Sequence, residues 1–262
     1  MTEQRRALAE LRAPSIASKL DEGSILVLPI GATEQHGPHL PFSTDSVIAE
    51  AVAAATVFEV GADVDAWLLP PLAFTKSNEH AWSAGTFWLS ARTLLSVLED
   101  VGRCVAATPA RRLVFLNGHG GNSSLLNTTC RELRLQFGLQ TFLAHPSLPP
   151  DHGGASPEEE LGMGIHGGLD ETSLMLHLRP ELVDLVAGFR NLPEPLAANR
   201  HVRFGGAVSF GWLSNDFGPS GLIGDPTGAT PERGKILFDG AVHAFAEALA
   251  EVARFDFGRS PS

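Results

Sequence analysis

Several residue types are scarce or missing in this sequence of 262 residues: it has no tyrosine, three methionines and only two cysteines, Cys104 and Cys130. Both cysteines fall within helical patterns, so we expect two buried thiols in a reducing, cytoplasmic environment rather than a disulfide. No run of eighteen apolar residues occurs, which predicts that no segment spans a membrane. The first twenty residues mix charged and apolar side chains and do not resemble a secretory signal.

Basic residues are also in deficit, with 19 Lys and Arg against 30 Asp and Glu, a net charge of −11. Nucleic acid and anionic membranes both favour basic surfaces, so we expect neither as a partner. The hydrophobic content of 44% suffices for one large core. We therefore predict a single domain over residues 1–262, with a helical extension at residues 1–20 and a loose tail at residues 256–262.

Two common hydrolase signatures are absent. The sequence has no Gly-x-Ser-x-Gly motif, which argues against a serine hydrolase of the α/β type. It also has no His-Glu-x-x-His helix, which argues against the usual zinc peptidase arrangement.

Apolar strand patterns alternate with amphipathic helical patterns along most of the chain. The strand predictions cover residues 24–30, 66–70, 112–116 and 140–143. The helix predictions cover residues 44–56, 90–107, 123–137, 171–178 and 230–255. This alternation predicts a layered α/β fold with a mainly parallel sheet. A long segment rich in Pro and Gly, residues 144–168, is predicted to be a functional loop.

Candidate metal ligands follow two of the predicted strands. Glu34 and His36 come after the first strand, Asp45 begins the next helix, and His119 follows the strand at residues 112–116. Because parallel strands present their carboxyl ends at one edge of a sheet, these side chains can converge there. Imidazole and carboxylate together suit Zn, Mn, Fe or Co. Two other interpretations stay open: Asp45 caps its own helix, or the glycines around His119 form an anion cradle.

A later segment adds His166 and Glu171. With Glu171, the candidate ligands number five, which suits two ions sharing a bridging carboxylate and activating a bridging hydroxide. His166 is either a solvated loop histidine or a proton shuttle, since imidazole titrates near neutral pH. Further side chains are candidates for the substrate pocket: Ser77, Glu79, His80, Gly120, Gly121 and Trp212.

At these residues the sequence resembles the creatininase family of amidohydrolases. The matching stretches are LPIGATEQHGPHLP at residues 28–41, TD at 44–45, NGHGGN at 117–122, HGGLDETS at 166–173 and GDPTG at 224–228. The resemblance implies a three-layer α/β/α fold, two divalent metal ions per subunit (Zn or Mn, with Fe as a further option) and a homohexamer. It also implies a role for each candidate ligand. Glu34 and His119 would hold one metal, His36 the other, and Asp45 both, while His166 would assist opening of the amide bond.

The chain departs from the family pattern at two places. Creatinine hydrolases carry a glutamate ligand two residues after the metal-binding histidine, where this chain has Gly121, and Glu171 resembles the replacement ligand. The segment 151–165 also lacks the tryptophans that creatinine hydrolases close over their substrate. Both departures argue against creatinine itself as the substrate.

We therefore expect a hydrolase of carbon–nitrogen bonds other than peptide bonds, acting on a small amide, linear or cyclic. Three alternatives stay open. They are a peptidase of the mycofactocin-precursor kind, a formamide hydrolase acting on a ribosylaminopyrimidine, and a metal-free module that binds an anion.

Overall fold

The computed structural model describes residues 6–146 and 157–257, and a parallel sheet of four strands lies at the centre of this part of the chain. The strands are β1 (Ile25–Ile30), β2 (Ala66–Leu68), β3 (Arg112–Asn117) and β4 (Gln140–Ala144). Their order across the sheet is β2-β1-β3-β4, so β1 and β3 are neighbours although residues 31–111, including β2, separate them in sequence. Every side chain of β1 is buried, as its continuous apolar run predicts.

Seven α-helices lie in the described part of the chain, and the five that were predicted begin and end close to the predicted residues. They are α1 (Ala13–Lys19), α2 (Thr44–Val60), α3 (Ala91–Ala106), α4 (Ser123–Phe137), α5 (Leu169–Leu178), α6 (Glu194–Ala197) and α7 (Pro231–Arg254). Short 3-10 helices cover Leu8–Glu10, Asn78–His80, Gly120–Asn122, Glu158–Glu160, Pro180–Leu182, Leu185–Ala187, Ser214–Phe217 and Pro226–Gly228. Two of the α-helices have side-chain caps at their N-termini: Ser90 accepts from the Thr93 N–H, and Thr230 accepts from the Arg233 N–H.

The sheet is covered by helices on both faces. On one face, Leu26 and Leu28 of β1 join Phe115 of β3 in a core that includes side chains of α3 and α4. On the other face, Val27 of β1 and Val114 of β3 pack with side chains of α2 and α7. Alternate residues of each strand therefore enter opposite cores, as the period of a strand requires. The predicted three-layer α/β/α fold is confirmed.

Some expectations need correction or fall outside the described residues. Both cysteines are free, but Cys104 is exposed on α3 and Cys130 is only half-buried, so the prediction of two buried thiols is wrong. Helix α5 begins two residues earlier than predicted, which places Glu171 in its first turn. Residues 147–156 of the predicted loop, and residues 1–5 and 258–262 of the two termini, lie outside the described residues. The single domain over residues 1–262 stays a prediction.

No helix in the described ranges is long and apolar enough to cross a membrane. The longest, α7, has 24 residues and carries charged side chains along its length. It packs closely against α5, and the two helices approach at Gly234. A Cβ atom at this position would lie 1.8 Å from the backbone oxygen of Ser173. Since a backbone oxygen within a helix cannot move aside cheaply, the contact requires glycine.

We predict that Gly234→Ala lowers the free energy of unfolding by about 1–3 kcal/mol, because the added methyl group forces α5 and α7 apart. Gly240 is the matched control, since a Cβ there meets no heavy atom within 4 Å in the same helix. Gly240→Ala should raise the stability by roughly 0.5–1 kcal/mol through helix propensity. Urea denaturation followed by circular dichroism measures both. Equal stabilities for the two variants would contradict the close-contact argument.

Candidate metal centre and active site

The five candidate ligands and His166 meet at the carboxyl edge of the sheet. Glu34 and His36 lie on the segment that leaves β1, and His119 lies on the segment that leaves the neighbouring β3. Asp45 is the second residue of α2. Gly118, which directly follows β3, packs against the backbone of Asp45, and a Cβ atom on Gly118 would lie 2.7 Å from the Asp45 backbone oxygen. The absence of a side chain at Gly118 therefore lets the end of β3 approach α2. The adjacency of β1 and β3 therefore brings together Glu34 and His119, which are 85 residues apart in sequence.

Two carboxylate oxygens are buried at the centre of this cluster without a hydrogen-bond partner among the described residues. They are Glu34 Oε1 and Asp45 Oδ2. His119 Nδ1 faces both, at 3.2 Å from Glu34 Oε1 and 3.1 Å from Asp45 Oδ2. Of their other oxygens, Glu34 Oε2 accepts from the Ser77 hydroxyl, and Asp45 Oδ1 lies 2.9 Å from His36 Nε2, which can donate to it only when the His36 ring is protonated on both nitrogens. Unpaired buried carboxylate oxygens are costly unless a cation compensates them.

Backbone carbonyls orient the two ligand imidazoles. The Nδ1 atom of His36 lies 3.1 Å from the Glu34 backbone oxygen, and the Nε2 atom of His119 lies 3.0 Å from the Lys76 backbone oxygen. Because a carbonyl oxygen can only accept, each of these nitrogens donates its proton. In the neutral rings, the remaining nitrogens (His36 Nε2 and His119 Nδ1) therefore turn lone pairs towards the carboxylates. A metal ion is the group that reconciles these lone pairs with the carboxylate oxygens, so the donor set fits divalent cations.

Glu171 and Asp45 complete a second group of ligand atoms. One group joins Glu34, Asp45 and His119, and another joins His36, Asp45 and Glu171, with the ligand atoms of each group within 4.8 Å of one another. Asp45 belongs to both groups. Glu171 Oε2 also accepts from the Gly167 N–H at 2.6 Å, which holds the carboxylate towards the cluster. A third group of this kind joins Glu34, His36 and His166.

Without a bound cation, protons balance the charge of the cluster. Burial opposes the charged form of His36, but the carboxylates of Asp45, Glu171 and Glu34 outweigh it and raise the pKa of His36 to about 10. His119 behaves similarly, and its pKa lies well above 6.5 because Glu34, Asp45 and Glu79 outweigh the effect of burial. Burial, helped by the charge of Asp45, raises the pKa of Glu171 to about 7.

The two other interpretations of these residues find little support. Asp45 makes no capping hydrogen bond in α2, because its oxygens face His36 and His119 instead. An anion cradle at the turn after β3 would face the carboxylate of Glu79, which occupies the space beside Gly121. Like charges repel at this distance, so the turn is a poor site for an anion.

The polar candidates for substrate binding lie around the same cluster. Ser77 is fully buried and donates to Glu34, so it orients a candidate ligand. His80 Nε2 lies 3.4 Å from Glu34 Oε1. Glu79 Oε1 lies 3.6 Å from His119 Nε2, and Lys76 Nζ lies 2.7 Å from Glu79 Oε2, so this acid is paired behind the ligand histidine. The pKa of Glu79 is lowered because these two partners outweigh its burial.

The remaining candidates have different surroundings. Gly120 is exposed, and a side chain there would meet open space. At Gly121 an added Cβ would lie 2.0 Å from Glu79 Oε1. Trp212 packs with Phe204 and Phe217 in an aromatic cluster, so its described contacts are structural. The expectation that Trp212 binds substrate stays a prediction.

Sequence reasoning missed several residues that the fold brings to this site. Gln35 contacts His80 and His166, and Trp82 donates from Nε1 to Ser214 Oγ at 2.7 Å beside them. The position of Gln35 between Glu34 and His36 was the one available signal.

Glu160 was also missed. It is buried below the His166 segment and accepts from the N–H groups of Leu169 and Asp225 at 3.1 and 2.6 Å. It belongs to a run of three acidic residues, which is typical of a solvated surface rather than a buried support. Burial raises the pKa of this carboxyl group above its usual value.

Buried imidazoles and carboxylates at the carboxyl edge of a parallel sheet define a class of protein: an α/β enzyme with a candidate binuclear metal centre. Comparison with known families agrees. Residues 9–249 match the sequence profile of the Creatininase family, described as creatinine amidohydrolase. The chain therefore belongs to the creatininase family.

Relatives in this family carry three different names. The chain is 36% identical to a mycofactocin precursor peptide peptidase of Mycobacterium ulcerans, over 89% of this chain and 86% of that protein. It is 38% identical to a creatinine amidohydrolase of Pseudomonas putida, over 62% and 66%. It is 29% identical to a 2-amino-5-formylamino-6-ribosylaminopyrimidin-4(3H)-one 5'-monophosphate deformylase of Methanothermobacter thermautotrophicus, over 70% and 79%.

Solved structures of creatininases share the fold. A mutant creatininase of the Zn-Zn type has a TM-score of 0.74 at 26% identity, over 95% of this chain and 98% of that one. A creatininase with Mn has a TM-score of 0.73 at 26% identity, over 95% and 99%. The predicted enzyme class, a hydrolase of carbon–nitrogen bonds other than peptide bonds, is confirmed at the level of this family.

We predict that the affinity of the metal-free protein for Zn²⁺ rises with pH across the neutral range. A metal ion must displace protons from His36 and Glu171, whose pKa values are raised to about 10 and about 7. Each displaced proton strengthens binding by about tenfold per pH unit below the pKa of its group. Competition with a chelator of known affinity, at several pH values, measures the slope. An affinity that is constant or falls with pH would contradict this charge balance.

Proposed function

We propose that this chain hydrolyses the carbon–nitrogen bond of a small amide, linear or cyclic, with two divalent cations held at the carboxyl edge of the sheet. The observation that carries the proposal is the pair of buried, unpartnered oxygens, Glu34 Oε1 and Asp45 Oδ2. Imidazole nitrogens face them, and their other ring nitrogens donate to backbone carbonyls. In its deprotonated form, such a donor set fits divalent cations.

The ligand groups suggest how two cations would be shared. Glu34 and His119 would hold one, His36 and Glu171 the other, and Asp45 both, because Asp45 alone belongs to both of these groups. Glu171 would supply the carboxylate ligand that creatinine hydrolases have at the position of Gly121. Zn and Mn are supported by the similarity to creatininases of those types, and Fe suits the same ligands.

When bound, the cations would supply an activated water near neutral pH and polarise the amide carbonyl. The protein's own residues would orient the reaction and move its protons. His166 is buried, and its Nδ1 atom lies 3.7 Å from Glu34 Oε1, at the edge of the cluster. It would take a proton from the attacking water as the carbon–oxygen bond forms. It would then return that proton to the leaving nitrogen as the carbon–nitrogen bond breaks.

A second candidate function is a peptidase of the mycofactocin-precursor kind. The peptidases of this name match the chain over more of its length than the creatinine amidohydrolase does. The surface beside the site also suits an apolar peptide. Phe74 and Phe87 are 54% and 61% exposed and contact each other, and the Phe87 N–H donates to the Thr33 carbonyl next to Glu34. Gly120, on the turn after β3, is exposed and adds no side chain to this part of the surface.

The family membership leads to proposals for the assembly and the cellular location. We propose a homo-oligomer, with a homohexamer as the first expectation, and a cytoplasmic enzyme. Large apolar side chains that stay exposed on the single chain support an assembly, including Phe58, Val186 and Ile236. Sedimentation or light scattering of the purified protein measures the assembly.

We predict that the wild-type protein binds two equivalents of Zn²⁺ and that two substitutions remove different numbers of ions. Asp45→Ala should lose both ions and all activity, because Asp45 serves both ligand groups. Glu171→Gln should keep one, because Glu171 serves a single group. Asp63→Ala, at an exposed carboxylate just after α2, is the matched control and should keep both. Metal analysis of the dialysed proteins measures the stoichiometry. An Asp45→Ala protein with two ions and full turnover would show that Asp45 is no bridge.

We predict that the metal-loaded enzyme hydrolyses a small amide within a panel of creatinine, formamides, other linear and cyclic amides, and short peptides. Release of ammonia, amine or formate measures the small-amide reaction, and mass spectrometry measures peptide cleavage. Asp45→Ala serves as the control for contaminating hydrolases. Cleavage of peptides alone would assign the second candidate function. A protein with two bound ions and no turnover of any member would contradict the first.

A further inference from the structure

The side chain of Gln35 enters the site between the two ligands that flank it in sequence. It is 5% exposed, and its Oε1 atom accepts from the Gly37 N–H at 2.9 Å. A backbone N–H can only donate, so this contact identifies the oxygen of the amide. The other end of the amide, Nε2, therefore carries two protons and faces the histidines of the site.

The amide of Gln35 determines which nitrogen of His80 carries the proton. Gln35 Nε2 lies 2.8 Å from His80 Nδ1. Because an amide nitrogen donates and cannot accept, His80 Nδ1 must accept, and the proton of the neutral ring lies on Nε2. This Nε2–H group faces the metal cluster, 3.4 Å from Glu34 Oε1, without a hydrogen bond to it. His80 thus brings a proton donor to the cluster.

The backbone carbonyl of Gln35 determines which nitrogen of His166 carries the proton. The Nε2 atom of His166 lies 2.6 Å from the carbonyl oxygen of Gln35, so Nε2 must donate and Nδ1 keeps its lone pair. Gln35 Nε2 also lies 3.1 Å from His166 Nε2, but both nitrogens carry protons and no hydrogen bond joins them. The second amide proton has Ser214 Oγ and the Gly221 carbonyl within 3.4 Å.

His80 and His166 are therefore neighbouring rings with opposite hydrogen-bonding roles towards the cluster. The rings of His80 and His166 lie 4.2 Å apart at an angle of 33°, and both turn one nitrogen towards Glu34 Oε1. His80 presents a donor there and His166 presents an acceptor. In their neutral form, the histidines at residues 36 and 119 also present acceptors, so the inward N–H of His80 is unlike the other three rings of the cluster.

We propose that Gln35 is a positioning residue that gives these histidines separate tasks, with His80 as the hydrogen-bond donor to the oxyanion formed at the substrate carbonyl. The inference rests on the proposed amide hydrolysis and adds a catalytic residue and its support. As water adds, the carbonyl oxygen gains negative charge, and His80 donates to it through Nε2. His80 keeps its proton throughout, while His166 alone takes and returns the proton of the attacking water.

Histidine substitutions test the donor. His80→Phe keeps a flat ring and removes the N–H, and kcat should fall by about 10²–10³-fold with KM little changed. His80→Gln carries an amide N–H near the position of Nε2, and it should recover part of the lost kcat. Zn²⁺ content should stay at the wild-type value in both variants, which separates loss of the donor from loss of the metals.

Substitution of the amide tests the positioning role. Gln35→Met keeps the length of the side chain but donates no hydrogen bond, so it should mix the two tautomers of His80 and lower kcat less than His80→Phe does. Gln136→Met is the matched control at an exposed position of α4, and it should leave kcat and the tautomers unchanged. Long-range ¹H–¹⁵N spectra of the Zn²⁺-loaded protein distinguish a proton on Nδ1 from one on Nε2. The His80→Phe protein identifies the His80 signals by their loss.

The results separate this inference from the proposed function. Active wild-type enzyme with His80 protonated on Nδ1 would overturn the inference and leave the function intact. The same holds if His80→Phe keeps kcat within threefold, or if Gln35→Met changes neither the tautomers nor kcat. A wild-type enzyme that cleaves no amide with two bound ions would overturn both. Protonation of His80 on Nε2, loss of kcat in His80→Phe and recovery in His80→Gln would support the inference.

Discussion

The site depends on the need of buried carboxylates for positive charge. Glu34 Oε1 and Asp45 Oδ2 lie away from water, and the imidazoles beside them turn lone pairs inward because backbone carbonyls take their outer protons. Protons can balance this charge in the metal-free protein, and divalent cations can replace them. The neighbouring residues either hold these groups in place or present polar atoms to the space around them.

The sheet supplies the precision that such a cluster needs. Neighbouring parallel strands β1 and β3 end at one edge, so their following segments start from a rigid and fully buried base. Ligands from α2 and α5 are then added from the first turns of these helices. Glu160 holds the start of α5 in place, because its carboxylate accepts from the backbone N–H groups of Leu169 and Asp225. Few of the ligands therefore depend on a long flexible loop for their position.

Glutamates from two other parts of the chain reach the cluster beside the turn after β3. Gly121 has no side chain to offer a metal, and the carboxylate of Glu79 fills the adjoining space and faces the outer nitrogen of His119. Glu171 reaches the cluster from another direction. Each of the two candidate ligand histidines on the strand-following segments therefore has a further glutamate beside it, while Gly120 adds no side chain to the exposed turn.

The sequence by itself determined the strands, the caps at Ser90 and Thr230, and the residue types of the candidate ligands. These follow from local patterns: apolar runs, capping side chains, and histidines or acids placed after strands. Only the tertiary structure decided which atoms face each other. The proton positions of His80 and His166 depend on Gln35, 45 and 131 residues away, and the exposure of Cys104 depends on which side of α3 packs on the sheet. Contacts between residues so far apart leave no local signal, because the folded chain creates them.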